Sequence, residues 1–342
     1  MKKISTLGVD LAKNVIQLCG TDSKGKVCLT KKIKRDSFAK AVEGLSKADD
    51  FIIAMEACGG ANHWGRTFRQ MGHVVKLIAP QFVKPYVKTN KTDMADAEAI
   101  AEAVRRPQMR FVGVKSTDQQ DLQNIHRVRE SIVKRIVAIS NETRGHLTEY
   151  GIVFLPGIHV LNKKLPAILE DADNGLSATM RELLDMLKQE LDRLTDKKTK
   201  LEIMLQKMHR ESELSQRLTD IEGIGLITST AVVAAVGDPN VFENGRQFAA
   251  WLGLVPRERS SGGKQRLLGI SKRGDRYIRK NLVQGAWSVV RHLGEKTDPR
   301  SEWIRKLVAS RGKHKTCVAL ANRNARVIWA LMASGEQYRV KE

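Results

Sequence analysis

The chain has 342 residues, with 59 Lys and Arg against 38 Asp and Glu and a formal net charge of +21. That length accommodates two domains with good cores, and the basic excess points to a polyanionic partner without choosing between DNA and RNA. Cys19, Cys28, Cys58 and Cys317 show no CxxC spacing, which excludes a zinc ribbon or a disulfide framework and fits reduced thiols in a cytoplasmic protein. No apolar run approaches the length of a membrane span, so no membrane partner is expected, and no P-loop is present.

Residues 4–10 are a short β-prone run that ends on Asp10, followed by strand candidates at 15–19 and 27–29 with Gly25 in the turn between them. This reads as a meander with a carboxylate on its first strand. Residues 51–55 form a strand buried on both faces, closed by Glu56 and turned by the Gly59–Gly60 pair. A carboxylate at the end of a buried strand is costly unless it is hydrogen-bonded or bound to a metal. A helix over 61–71 and a strand over 73–78 then suggest a parallel pair with a right-handed crossover. Residues 81–88, which end at Lys88, interleave lysines with Phe82 and Tyr86, aromatics that either pack or stack on bases.

Lys91-Thr92-Asp93-Met94-Ala95-Asp96-Ala97-Glu98 runs into an Ala-rich apolar segment and reads as a helix. Asp93 and Asp96, three residues apart, share one face of it. Like charges held that close repel unless a cation lies between them. Together with Asp10 and Glu56 they form a candidate acidic cluster from two strands and a helix.

Residues 116–150 read as a long helix with a stripe of Leu122, Ile125, Ile132, Ile136 and Ile139. Arg127, Arg129, Lys134 and Arg135 give it a basic side, which is either solvated or meets phosphates. From Met180 to Met208, apolar residues follow alternating steps of four and three, interrupted only by Lys198. This is the seam of a coiled coil. Its partner is either the basic helix of the same chain or a second subunit.

Gly223 and Gly225 form a Gly-x-Gly turn before an apolar helix, suited either to a phosphate or to a tight helix packing. Between Pro256 and Lys280, nine basic residues, among them Arg257, Arg259, Lys264, Arg266, Lys272 and Arg273, outnumber two acidic ones around Ser260-Ser261-Gly262-Gly263. Glycines admit a nucleic-acid backbone closely, and cations stabilise the charge that develops on an attacked phosphate. Taken alone, the two serines and two glycines read as a flexible loop. Helices over 281–290 and 303–332 finish the chain, carrying Trp287, Trp303 and Trp329 as core or interface residues.

Two motif blocks carry a family resemblance that covers most of the chain. The carboxylate pattern of Asp10, Met55-Glu56-Ala57-Cys58-Gly59-Gly60 and Lys91 to Ala97 resembles the DEDD insertion-sequence transposases. The block from Trp251 through Ser260-Ser261-Gly262-Gly263-Lys264 to Asp275 resembles the carboxyl-terminal domain of the same bridge-RNA-guided serine recombinases. The resemblance implies an α/β ribonuclease H/RuvC-like domain over 1–115, a basic helix and coiled-coil helices for RNA binding and dimerisation over 116–210, and a mainly helical carboxyl-terminal domain over 211–342 with a helix-hairpin-helix-like element. It further implies that Asp10, Glu56, Asp93 and Asp96 bind Mg²⁺, as two ions. Ser261, with Ser260 as the fallback, would attack DNA to form a covalent phosphoserine. Donor and target DNA, a structured guide RNA and a homo-oligomer, dimer or tetramer, are the implied partners. A metal nuclease that resolves branched DNA by hydrolysis is the alternative.

Overall fold

The structure, a computed structural model, describes residues 3–87 and 92–339, so Lys88 and Lys91 of the sequence motifs lie outside the described residues. The chain separates into two compact units, residues 1–120 with 235–243 and residues 121–234 with 244–342. The helices assigned from sequence to a separate middle domain are therefore grouped with the carboxyl-terminal helices, and residues 235–243 return to the first unit.

The first unit is α/β, built on a mixed sheet. β1 (Ile4–Leu11), β2 (Val15–Thr21) and β3 (Val27–Lys34) form the expected antiparallel meander. Gly25 turns at φ +85°, and the Asp22 carboxylate accepts from the Lys24 and Lys26 amides. After α1 (Phe38–Glu43), β4 (Lys47–Glu56) pairs parallel to β1, and α2 (Ala61–Gln70) crosses to β5 (Val74–Ile78), parallel to β4. The short α3 (Pro80–Val83), then α4 (Asp93–Ala103) and an antiparallel edge strand β6 (Phe111–Val112) complete the order β3-β2-β1-β4-β5-β6.

The two faces of this sheet are covered differently. On one, Leu7, Val9, Ile53 and Met55 pack with Phe38, Trp64 and Phe68, whose rings meet edge-on at 4.8 Å around Phe38. On the other, small residues let α4 lie almost on the strands. A Cβ at Gly8 would stand 2.3 Å from the Ala97 carbonyl oxygen and 2.7 Å from the Ala101 nitrogen. Ala97 and Ala101 share that contact with Cys19 of β2.

The second unit is mostly helical. α5 (Thr117–Glu149) and α7 (Ala178–Arg210), each 33 residues, are joined through α6 (Ile158–Glu170), a helix not foreseen from the sequence. Of the two partners left open for the α7 seam, the one present is in the same chain. Leu184, Leu191 and Leu194 share a core with Ile132 and Ile136 of α5 and with Leu161 and Leu165 of α6. Ion pairs Arg129–Glu202 and Arg135–Glu190 fix α5 and α7 antiparallel. Lys198, the interruption in the seam, reaches Glu202 at 3.5 Å. α8 (Glu213–Thr219), α9 (Leu226–Ala235), α10 (Gly245–Trp251), the hairpin β7 (Pro256–Glu258) and β8 (Leu267–Ile270), α11 (Arg276–Arg291) and α12 (Pro299–Ser334) follow, with α12 broken at Gly312 (φ +75°, ψ 162°). Among the described residues no helix is long and apolar enough to cross a membrane.

His126 of α5 is buried between Thr230 and Tyr277, 3.1 Å from each hydroxyl. Thr230 donates its own proton to the Leu226 carbonyl, so it accepts from Nε2–H and leaves Nδ1 to accept from Tyr277. Burial, with Arg129 nearby, pulls the imidazole down from 6.5 to about 4. Between those two pH values the unfolded chain binds the proton and the folded chain does not, so stability falls as pH falls. Acidification from pH 7 to about 4.5 is expected to cost about 2–3 kcal/mol through this group. Urea midpoints across that range test it, and the slope should flatten in His126→Gln.

Candidate active site

Strand alternation decides where the two strand carboxylates point. Val9 pairs with Met55 in the parallel β1–β4 register, so Asp10 and Glu56 are the next neighbours along it. Gly8 and Ala54 face α4, and with a period of two so do Asp10 and Glu56. Both are half-buried. The nearby Cys58 thiol is pushed up by desolvation and then by the charges of Glu56 and Asp10.

The direction of α4 brings the other two carboxylates to the same end. Its Ala97 and Ala101 lie over Gly8, and Arg105, just past its end, donates to the Asp22 and Ser23 carbonyls at 2.9 and 2.7 Å. Those carbonyls belong to the β2–β3 turn, beside the start of β1, so α4 runs antiparallel to β1 and its first turn stands at the carboxyl end of β1. Thr92 is the N-cap, accepting from the Ala95 amide at 3.2 Å. Asp93 and Asp96 fill the first turn, where the helix dipole favours negative charge. Asp93 is exposed and Asp96 half-buried. All four sequence-predicted carboxylates thus lie towards the carboxyl end of β1 and β4 on the α4 face, although among the described residues no three His, Cys, Asp or Glu stand close enough to share an ion.

Arg35, which follows β3, was missed from sequence. Its guanidinium donates to the Ala12 carbonyl at 3.3 Å, lies over Trp64 at 5.8 Å and would meet a Cβ on Gly60 at 2.7 Å. A cation therefore stands at the end of β1, just past Asp10. The signal available was one arginine at the end of the meander, which a chain this basic makes inconspicuous.

The remaining predicted residues are in the second unit. Ser261 is exposed at the tip of the β7–β8 hairpin, not in an irregular loop. It bridges to Lys264 across Gly262 (φ +56°) and Gly263 (φ +75°), the two positive φ values that a tight hairpin turn requires. Ser260 donates to Glu258 Oε1 at 2.5 Å and accepts from the Arg266 amide at 3.3 Å, so its hydroxyl is engaged within the hairpin. Arg257, Arg259, Lys264, Arg266, Lys272 and Arg273 are all exposed around it. Arg279 is buried, donating to the Leu252 and Arg273 carbonyls, and Lys280 pairs with Glu130; both serve the fold.

On α5, Arg127 and Lys134 are exposed. Arg129 and Arg135 differ from the expectation of a basic side free for phosphates, since Glu202 and Glu190 hold them in the helix hairpin. Gly223 also serves packing: its carbonyl oxygen would be 1.8 Å from a Cβ on Gly285 of α11, so two glycines 62 residues apart let the turn touch the helix. Gly225 is open.

A transposase model of the IS110 DEDD type matches residues 7–152, and one described as the IS116/IS110/IS902 transposase family matches residues 215–305. The chain is 46% identical over 339 residues to the transposase of insertion sequence element IS1111A from Coxiella burnetii, covering 99% of this chain and 92% of that protein. It is 47% identical to a probable family 20 transposase of Pseudomonas aeruginosa, with 98% and 99% covered, and 37% identical to the transposase of element IS1328 from Yersinia enterocolitica, with 98% of each covered. The chain belongs to the IS116/IS110/IS902 family of insertion-sequence transposases, enzymes that cut and rejoin DNA.

Proposed function

We propose that this transposase is an RNA-guided recombinase whose first unit is a RuvC-like nuclease domain and whose nucleophile is Ser261. The strongest support is the β1–β4 register that sets Asp10 beside Glu56, on the face and at the edge where the first turn of α4 carries Asp93 and Asp96. A three-stranded antiparallel meander continued by parallel β4 and β5 is the topology the RuvC-like reading requires.

The donor set suits a hard divalent cation such as Mg²⁺, as one or two ions: four carboxylates, with the Cys58 thiol beside them raised by burial and then by Glu56 and Asp10. Asp10, Glu56, Asp93 and Asp96 would hold it. When bound, such an ion supplies Lewis-acid polarisation of the scissile phosphate. Arg35 neutralises part of the carboxylate charge and can orient an incoming phosphate oxygen. Ser261 Oγ bonds to phosphorus as the strand's bridging P–O bond breaks; the hydroxyl proton is released and the departing oxygen takes one up. Arg257, Arg259, Lys264 and Arg266 stabilise the charge on the phosphorus centre. In the second step a strand hydroxyl attacks the same phosphorus and Ser261 leaves, so bond energy is conserved and no ATP is needed.

The exposed Arg127 and Lys134 would meet the guide RNA or the DNA backbone. Leu183, Met186, Ile203 and Met204 are exposed along α7 and support an oligomer, since two strand-cutting centres are needed. The reading is tested by supplying protein that carries its RNA with donor and target DNA and Mg²⁺. Rejoined product that forms without ATP and is lost after ribonuclease treatment is expected; cut but unjoined ends would favour the hydrolytic nuclease.

The Cys58 thiol gives a readout independent of turnover. Burial raises its thiol first, and the charges of Glu56 and Asp10 raise it further, so a cation bound between them should remove the charge part and expose more thiolate. In a Cys28→Ser background, which removes the other exposed cysteine, Mg²⁺ is expected to accelerate alkylation of Cys58 at pH 8 several-fold; an unchanged rate would argue against an ion at these carboxylates.

A further inference from the structure

The second unit contains an open groove of about 1050 Å³ that the proposed chemistry does not use. One wall is α12. Its core face carries Cys317, Leu320, Asn324, Ile328 and Leu331, and the opposite face carries Lys315, Ala319, Asn322, Arg326 and Trp329, again in steps of four and three. The other wall starts at α10, where a Cβ on Gly245 would stand 3.0 Å from the Arg326 carbonyl oxygen and Arg246 lines the groove. Trp303 lines it too, with the Arg323 guanidinium 5.0 Å above the indole ring. No acidic side chain lines it among the described residues.

Four cations and two indoles in one groove match a particular ligand chemistry. The cations require a polyanion. The indoles, and the guanidinium already stacked on one of them, require flat π-faces, which a duplex hides and an unpaired strand offers. Pro256 and Ile270, the paired ends of β7 and β8, also line the groove. Ser261 stands five residues beyond Pro256, at most roughly 16 Å along a strand. A strand held in the groove would thus enter a few nucleotides from the hairpin tip.

We infer that this groove binds unpaired DNA, with bases on Trp329 and on the Arg323–Trp303 stack and phosphates on Arg246, Lys315 and Arg326. The choice of DNA rests on the reading of Ser261 as the nucleophile. Such a site would hold the melted strand next to the bond being cut and would prefer sequences that open easily.

The test is fluorescence anisotropy of the full chain with a labelled 20-nucleotide single strand, the matching duplex and the same sequence as RNA, without divalent ions so that no cleavage is involved. Trp329→Ala is expected to weaken single-stranded DNA about tenfold and the duplex less than about twofold. Trp329 is half-buried, so the exposed Arg246→Gln provides a second reading: it should lower the salt slope for the single strand by about 0.7. Unchanged single-strand affinity in both variants, or equal losses on the duplex, would overturn the assignment. So would RNA that binds more tightly than DNA and is lost in the same variants. Selective single-strand binding with no strand cleavage under any condition would sink the serine mechanism and leave the groove standing.

Discussion

Asp93→Asn is expected to slow DNA strand cleavage by about 10²–10³-fold, the scale of removing one preorganised electrostatic contact from a transition state. Asp10→Asn should do the same. Neither change alters shape, and Asp93 is exposed, so what the fold loses in the first variant is one favourable charge at a helix N-terminus, at most about 1 kcal/mol. The expected signature is therefore a near-normal urea midpoint with cleavage almost gone. A solvated acidic turn with no role in chemistry would show the reverse, a small loss of stability and full cleavage.

Gly8→Ala should be as damaging to activity by a different route. Its Cβ would lie 2.3 Å from the Ala97 carbonyl oxygen and 2.7 Å from the Ala101 nitrogen, both backbone atoms of α4. Neither can swing aside, so α4 must lift from β1, and Asp93 and Asp96 move with it. Overpacking of this kind costs about 3 kcal/mol in a tight core. The urea midpoint should drop accordingly, and cleavage by the fraction still folded should fall at least tenfold, because a misplacement near 1 Å is enough to spoil a catalytic constellation.

The contrast between these two variants marks what was legible in the sequence. Asp10 and Glu56 stood out because each ends an apolar run, and Asp93 and Asp96 because helical spacing pairs them. Local patterns carry that information. Gly8 gave no such signal, since its importance comes from Ala97, 89 positions away, and Arg35 is defined only by the Ala12 carbonyl, Trp64 and Gly60 around it. The seam from Met180 to Met208 announced a packed helix, but a heptad does not say whose chain fills it; Ile132 and Ile136 of α5 settled that.

The same limit applies to the cations and glycines. Arg127 and Arg129 are alike in sequence, yet Glu202 claims one and leaves the other in solvent. Gly223 looked like a phosphate turn because Gly285 could not be placed beside it. The serine segment was mistaken for a loop because its flanking strands are only three and four residues long and largely exposed, with Pro256, Arg257 and Glu258 all in solvent, so the two glycines were the main hairpin signal.

The most direct test of the serine mechanism is covalent trapping. Protein carrying its RNA is mixed with Mg²⁺ and labelled DNA spanning an element junction, and the sample is denatured before electrophoresis. A phosphoserine intermediate predicts a labelled band at protein size that disappears in Ser261→Ala and persists in Ser260→Ala. Free cleaved DNA with no adduct, unchanged by Ser261→Ala, would contradict it and assign the attack to water.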